Sequence, residues 1–150
     1  MLNRQKCILF MIERAGRPVT HLEITKWAFL TTSEMPSRGG SSFYDFLPYQ
    51  YGPFSFAMFR ELAGLAQKGY LSDAQRNGHP AWERGGDMRD YTGSLSRDVQ
   101  GDAARVVERF VSRSDDELID YVYERFPWYT ANSKIRQLAS RPVADTAVYT

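Results

Sequence analysis

The segment from Ser55 to Gly69 constrains the fold most strongly, because its apolar residues recur at helical spacing. The apolar side of this predicted helix carries Met58, Phe59, Leu62, Leu65 and Ala66. Ser55 is suited to cap the N-terminus. Gly69 is suited to the position just past the C-terminus, where a left-handed backbone is common. The pattern predicts a helix over residues 55–68 with one face directed into a core.

Two further helices are predicted before this segment. The first spans residues 3 to about 15 and stops at Gly16. The second begins at Thr20, which with Glu23 three residues on forms a capping box. Residues 31–42 are rich in Ser, Thr, Gly and Pro and predict a mobile loop.

Residues 43–54 cannot form one regular helix, because Pro48 and Pro53 each disfavour the helical conformation at the residue before them. In this stretch we expect Phe46 and Leu47 to be core residues, together with Phe59, Leu62 and Leu65 of the following helix. Gly52 and Pro53 are expected to fix a tight turn into that helix.

A hairpin is predicted after the third helix, because Asn77-Gly78 is a strong signal for a two-residue turn. Its strands would pair residues 70–71 with residues 81–82 or with Tyr91. Two more helices follow. The first has apolar positions from Val99 to Phe110, and the second is capped by Ser114 and ends before Pro127.

This order predicts a mostly α fold, a small helical domain with a β-hairpin after the third helix. A winged-helix-like variant is possible, because three helices followed by a hairpin is the order of that fold. We expect a single domain over residues 1–140 and a flexible C-terminal tail over residues 141–150, where no periodicity is visible.

Composition excludes several classes of protein. Hydrophobic residues make up 43% of the chain and aromatic residues 14%, which is enough for a folded core. The net charge of +1 gives no strong attraction to nucleic acid or membrane. The single cysteine, Cys7, excludes an internal disulfide and lies among apolar residues, so we expect it to be buried. With no apolar run of membrane-spanning length and no leader pattern, a cytoplasmic location without a membrane partner is expected.

The residues that most often carry catalysis or bind metals are sparse. His21 and His79 have no Asp, Glu or Cys at metal-ligand spacing around them. Ser55 is not in a nucleophile-elbow motif, and the acidic run from Asp115 to Glu117 fits the first turn of a helix. We therefore expect no catalytic residues, no metal and no cofactor.

A family resemblance is carried by the residues around the Gly-Pro pair. They are Tyr49, Tyr51, Gly52, Pro53 and Ser55, followed by Leu62, Leu65 and Gly69-Tyr70-Leu71. Lys26 and the aromatic residues Trp27 and Phe29 in "ITKWAFL" extend the match, as does "ELIDYVYERFPWY" near residue 128. This pattern resembles the SocA-like antitoxin family, also called the Panacea domain, over residues 1 to about 130.

The resemblance implies a small, mainly helical bacterial or phage protein that neutralises a partner toxin by direct contact. No enzymatic activity is implied. Some members of the family act as adaptors for proteolysis.

The aromatic residues of the Tyr-Gly-Pro segment outnumber what one small core easily covers, so we predict a partner-binding surface there. The predicted residues are Tyr49, Tyr51, Gly52, Pro53, Phe54, Phe56 and Arg60, with Arg76 and Arg84 of the hairpin as a charged rim. The alternative is that these aromatics pack beneath the Ser/Gly-rich loop.

A second functional hypothesis is a winged-helix transcriptional regulator that binds DNA. Arg76, Arg84 and Arg89 of the hairpin could contact phosphates. The third helix argues against it, because Phe54, Phe56 and Met58 near its start are poorly suited to reading base edges.

Overall fold

The computed structural model describes residues 1–50, 52–86 and 92–130. Its elements, in chain order, are α1 (Asn3–Ala15), β1 (Val19–Thr20), α2 (His21–Glu34), β2 (Leu47–Tyr49), β3 (Gly52–Phe54), α3 (Phe56–Gln67), β4 (Leu71–Arg76), β5 (His79–Arg84), α4 (Arg97–Phe110), α5 (Asp115–Arg125) and a 3-10 turn (Pro127–Thr130). The predicted mostly helical domain with a hairpin after the third helix is confirmed.

The larger sheet has the strand order β1–β5–β4, so the short strand between α1 and α2 lies beside the hairpin. Three helices, a hairpin and a first strand paired to that hairpin follow the winged-helix order. Up to β5, the structure differs from the simplest version of that order in one respect, and α4 and α5 then follow. A separate two-stranded sheet, β2–β3, is inserted between α2 and α3.

The turn of the β4–β5 hairpin forms at Asn77-Gly78 as predicted, with positive φ at both residues. The predicted strand pairing is wrong, because Leu71 pairs with Arg84 and Ala81 pairs with Ala74. A two-residue turn makes residues 76 and 79 neighbours, and every other pair is counted outward from there. The alternative pairing to Tyr91 lies outside the described residues.

Helix ends follow the capping signals closely. Gly16 ends α1 in the left-handed conformation, and the Thr20–Glu23 capping box is formed at the start of α2. The predicted loop over residues 31–42 is wrong in its first part, since α2 continues to Glu34. The Thr31 hydroxyl donates to the Trp27 carbonyl one turn back, at 2.9 Å, so this threonine is compatible with a helix.

The core lies between helices, with α4 packed against both α1 and α2, and α5 packed against α2. Its largest fully buried side chains include Trp27, Phe29, Ile8, Leu9, Met11, Ile12, Ile24 and Leu30. Cys7 is buried as predicted, and this burial raises the pKa of its thiol to about 12.

Two partly buried carboxylates connect distant segments. Glu61 on α3 accepts hydrogen bonds from the Arg4 guanidinium and from the Tyr44 hydroxyl, the latter at 2.8 Å. Glu34 at the end of α2 accepts from the Tyr121 hydroxyl of α5 at 2.9 Å. These contacts fix the inner side of α3 and the packing of α5. The predicted tail at 141–150, and the domain boundary before it, lie outside the described residues.

Candidate partner-binding surface

The β2–β3 hairpin holds the Gly-Pro pair. Pro48 lies opposite Pro53, and Tyr49 lies opposite Gly52. Prolines donate no hydrogen bond to a strand ladder, so they are tolerated in so short a sheet, where both strands are edges. Gly52 has φ +103°, a conformation that other residues rarely adopt. The sequence excluded a helix here, as observed, but did not predict paired strands.

The hairpin lies on a buried lysine. A Cβ atom placed on Gly52 would be 3.6 Å from Lys26 Nζ and 3.5 Å from Tyr123 Cε1, which places Gly52 against α2 and α5. Lys26 is only 2% exposed. Burial lowers the pKa of Lys26 to about 8, and the nearby carboxylate of Asp115 partly opposes that change.

Four aromatic rings from three consecutive elements form one connected group, here called the aromatic cluster: Tyr49, Phe54, Phe56 and Phe59. Phe54 is at its centre, with its ring centroid 4.8 Å from Phe56, 5.5 Å from Tyr49 and 5.9 Å from Phe59. The Tyr49 and Phe56 rings meet edge to face at 5.3 Å. Such ring pairs contribute about 0.5–1.5 kcal/mol each beyond the area they bury, so the rings hold one another in place.

The aromatic cluster is open to solvent. Tyr49 is 39% exposed, Phe56 45% and Phe59 50%, while Phe54 is half-buried beneath them. The alternative that these aromatics pack beneath the Ser/Gly-rich loop is therefore wrong for Tyr49 and Phe56. Phe43 and Tyr44 are the aromatics buried next to that loop.

The two faces of α3 explain why Phe59 was predicted wrongly as a core residue. Met58, Leu62 and Leu65 are buried, whereas Phe56, Phe59 and Ala63 are exposed. Phe56 and Phe59 are three residues apart and therefore share a face of the helix. From the sequence alone, that spacing could have indicated that Phe59 lies on the exposed face with Phe56. Leu47, also predicted as core, is 42% exposed on the edge strand β2, whereas Phe46 is half-buried and packs on Phe29 at 5.6 Å.

The other predicted surface residues are divided. Arg60 is exposed beside the aromatic cluster, but Gly52 and Pro53 are buried and support the surface from below. Arg76 turns toward the buried carboxylate of Glu23, with 3.7 Å between Nε and Oε1.

Arg84 lines a separate cavity between α1 and β5, with Glu13 and Arg17. The predicted rim of hairpin arginines beside the aromatic cluster is therefore wrong. Arg84 points elsewhere because it lies at the base of β5, opposite Leu71. Tyr51 and Arg89 lie outside the described residues.

A cleft adjoins the aromatic cluster between α3 and the β4–β5 hairpin, and we call it the hairpin cleft. Its volume is about 420 Å³. It is lined by His21, Phe59, Ala63, Asp73, Ala74, Gln75, Pro80, Ala81 and Trp82. The His21 ring contacts Phe59 edge to face at 5.0 Å, so the hairpin cleft and the aromatic cluster share a wall. Sequence reasoning considered His21 only as a metal ligand and missed this contact.

Other candidate sites were also located. Ser55 acts as the predicted N-cap, its hydroxyl accepting from the Met58 amide at 3.2 Å. Within residues 1–50, 52–86 and 92–130, no three His, Cys, Asp or Glu side chains are grouped so that they could hold a metal ion. The expectation of a protein without metal or cofactor stays a prediction. No helix in the described ranges has both the length and the apolar character to cross a bilayer.

Comparison with known proteins adds no relative. No family model matches this chain, and neither curated proteins nor solved structures gave a significant match.

Proposed function

We propose that the protein is a non-enzymatic, antitoxin-like binding protein that neutralises a cognate toxin by direct contact through the aromatic cluster. The observation that carries this proposal is the exposure of Tyr49, Phe56 and Phe59 as one group of touching rings. Contiguous exposed apolar surface on a folded domain is typical of interaction sites. The resemblance of the Tyr-Gly-Pro segment to SocA-like antitoxins favours a toxin as the partner.

The aromatic cluster is also suited to tight binding because little freedom is lost when it is covered. Its rings pack on one another, and Tyr49 and Phe54 lie on a hairpin whose Gly52 is held against Lys26 and Tyr123. Binding by such preorganised aromatics avoids much of the entropy loss of ordering flexible side chains. Arg60, which forms no ion pair with any described residue, adds a charged edge.

The decisive experiment combines capture with growth rescue. A protein captured from the native host by the wild-type chain should arrest growth when expressed alone and should be neutralised by co-expression of the wild-type chain. The Tyr49→Ala/Phe56→Ala variant should bind it at least about 30-fold more weakly, the effect of losing a central aromatic anchor worth about 2 kcal/mol. Neutralisation should be lost with the same variant.

Two controls make the result specific. The variant loses three ring contacts of about 0.5–1.5 kcal/mol each, so its melting temperature should fall. It should still unfold in one cooperative transition above the temperature of the binding assay, because Met58, Leu62 and Leu65 of the core are untouched. Trp128→Ala removes a more exposed aromatic, 78% accessible, outside the aromatic cluster and should still neutralise. Full neutralisation by the Tyr49→Ala/Phe56→Ala variant, or loss with Trp128→Ala alone, would contradict the proposal.

A DNA-binding regulator is the second candidate, and the winged-helix order of the elements favours it. Against it, three of the five exposed residues of α3 are Phe56, Phe59 and Ala63, which cannot form the hydrogen bonds that read base edges. Arg60 and Gln67 are the other two. Fluorescence anisotropy with DNA from the region upstream of the gene distinguishes the two candidates. Specific binding of about 10 nM or tighter at physiological salt would favour the regulator.

A further inference from the structure

The hairpin cleft has mostly apolar walls. Phe59 and Ala63 of α3 form one side, and the paired strands β4 and β5 form the other. Ala74 and Ala81 form the next pair of the ladder, and both residues also line the hairpin cleft. Asp73 lies opposite Trp82, which places both side chains on the same sheet face with their Cβ atoms about 5 Å apart.

Among the described residues, no cation balances the negative charge that Asp73 brings to the hairpin cleft. Asp73 is exposed, and no described Lys or Arg pairs with it. His21 does not supply a positive charge at neutral pH, because burial lowers its pKa below the usual 6.5. Two other cavities carry both signs: one has Arg97 and Arg105 beside Asp98 and Asp102, and the other has Arg17 and Arg84 beside Glu13 and Glu83.

A carboxylate at the mouth of an apolar cleft with aromatic walls is complementary to a basic side chain. The methylene groups of such a side chain pack on apolar surface while the charged group remains near water. Its cation is attracted both to the carboxylate and to the faces of aromatic rings. Arginine fits better than lysine, because its guanidinium is planar, stacks on rings and is more weakly hydrated.

We propose that the hairpin cleft binds an arginine side chain of the protein partner, with Asp73 pairing with the guanidinium and Phe59 and Trp82 flanking it. This inference rests on the proposed function, because Phe59 belongs both to the hairpin cleft and to the aromatic cluster. In this arrangement, the partner segment that covers the aromatic cluster continues past Phe59, and one of its arginine side chains enters the hairpin cleft.

The test uses small probes and does not require the partner. The ¹⁵N-labelled protein is titrated with N-acetyl-arginine amide and, separately, with N-acetyl-citrulline amide, a neutral molecule of nearly the same shape. We expect saturable shifts of the Trp82 indole N–H and the Ala74 amide with the arginine probe, at about millimolar affinity. The citrulline probe should bind at least about fivefold more weakly than the arginine probe, since it lacks the ion pair and the cation–ring attraction.

Matched variants locate the interaction. Asp73→Asn keeps the side-chain size and should weaken the arginine probe to the citrulline level. Asp120→Asn removes an exposed charge on α5 and should leave the affinity unchanged. Equal affinity for both probes would mean that the hairpin cleft binds the aliphatic part of the side chain and does not recognise its charge. That result would overturn the proposal, as would the absence of saturable shifts or an Asp73→Asn variant with wild-type affinity.

Two further outcomes identify other occupants. Shifts at the same signals that appear on raising the concentration of the protein alone, and that vanish in Arg60→Gln, would assign the hairpin cleft to a second copy. A captured toxin that binds Asp73→Asn as tightly as the wild type would overturn this inference alone. The proposed function is tested separately by the Tyr49→Ala/Phe56→Ala variant, which leaves the carboxylate of the hairpin cleft intact.

Discussion

Gly52 has a backbone conformation that other residues adopt only at an energetic cost. Its φ is +103°, although a Cβ atom there would meet its neighbours at ordinary contact distances. Gly52→Ala should therefore lower the free energy of unfolding through torsional strain, by roughly 1–3 kcal/mol. Urea denaturation measures the change.

The matched control is Gly101→Ala on α4, where no atom lies within 4 Å of the added Cβ and φ is not positive. Alanine is the better helix former, so this variant should gain about 0.5–1 kcal/mol. Equal effects of the two substitutions would contradict the assignment of strain to Gly52.

Lys26 should make stability depend on pH in alkaline solution. Its pKa in the folded protein is about 8, below the ordinary 10.5. Between these values the unfolded chain binds more protons than the folded one, so stability from this group rises with pH. At about 1.4 kcal/mol per pKa unit, the total rise is about 3 kcal/mol.

A comparison with Lys26→Met isolates this contribution, because the other groups titrate alike in both proteins. The free energy of unfolding of the wild type should rise relative to that of the variant from about pH 8 to about pH 10.5. Lys68→Met, which removes an exposed lysine, should show no such trend. A difference for Lys26→Met that stays constant over this range would refute the prediction.

At the scale of single elements, α3 separates folding from binding on its two faces. Met58→Ala leaves a cavity in the core where the buried side chain was packed, and should lower the free energy of unfolding by about 2–5 kcal/mol. Phe59→Ala, one residue on, removes a half-exposed ring with two ring contacts of about 0.5–1.5 kcal/mol each, and should cost less than Met58→Ala. Thermal unfolding of both variants would distinguish them. Similar losses would return Phe59 to the core.

Elements with strong local signals were the ones that the sequence predicted well. Caps at Thr20, Ser55 and Ser114 and the Asn77-Gly78 turn depend on neighbouring residues, and all four formed as expected. The β2–β3 hairpin was missed because a strand that contains proline carries little strand signal.

The hairpin cleft could not have been predicted from the sequence. It exists because residues near positions 21, 59 and 73–82 meet in space, and no local pattern records that meeting. The aromatic cluster was partly predicted, because Tyr49, Phe54 and Phe56 are close in the chain. Phe59 was not predicted as part of the aromatic cluster, because next to Met58 it could be assigned to either face of the helix.

For the whole molecule, we expect a single cooperative unfolding transition. α4 packs against α1 and α2, and α5 packs against α2, so the N-terminal helices have no complete core without them. Leu62→Ala on α3 and Leu118→Ala on α5 should each lower the free energy of unfolding by about 2–5 kcal/mol.

Far-UV circular dichroism and tryptophan fluorescence should report the same midpoint for the wild type and for both variants. Separate midpoints, or a variant that shifts only one probe, would instead indicate two independently stable parts.

The pairing of β1 with β5 also has a consequence for how quickly the chain reaches its native state. The β4–β5 hairpin closes over a two-residue turn, whereas Val19 must find Trp82 across α2, the inserted hairpin and α3. Closing so long a loop is entropically costly before other contacts reward it. The hairpin should therefore form early and β1 join late, so substitutions at Val19 should mainly speed unfolding in stopped-flow measurements.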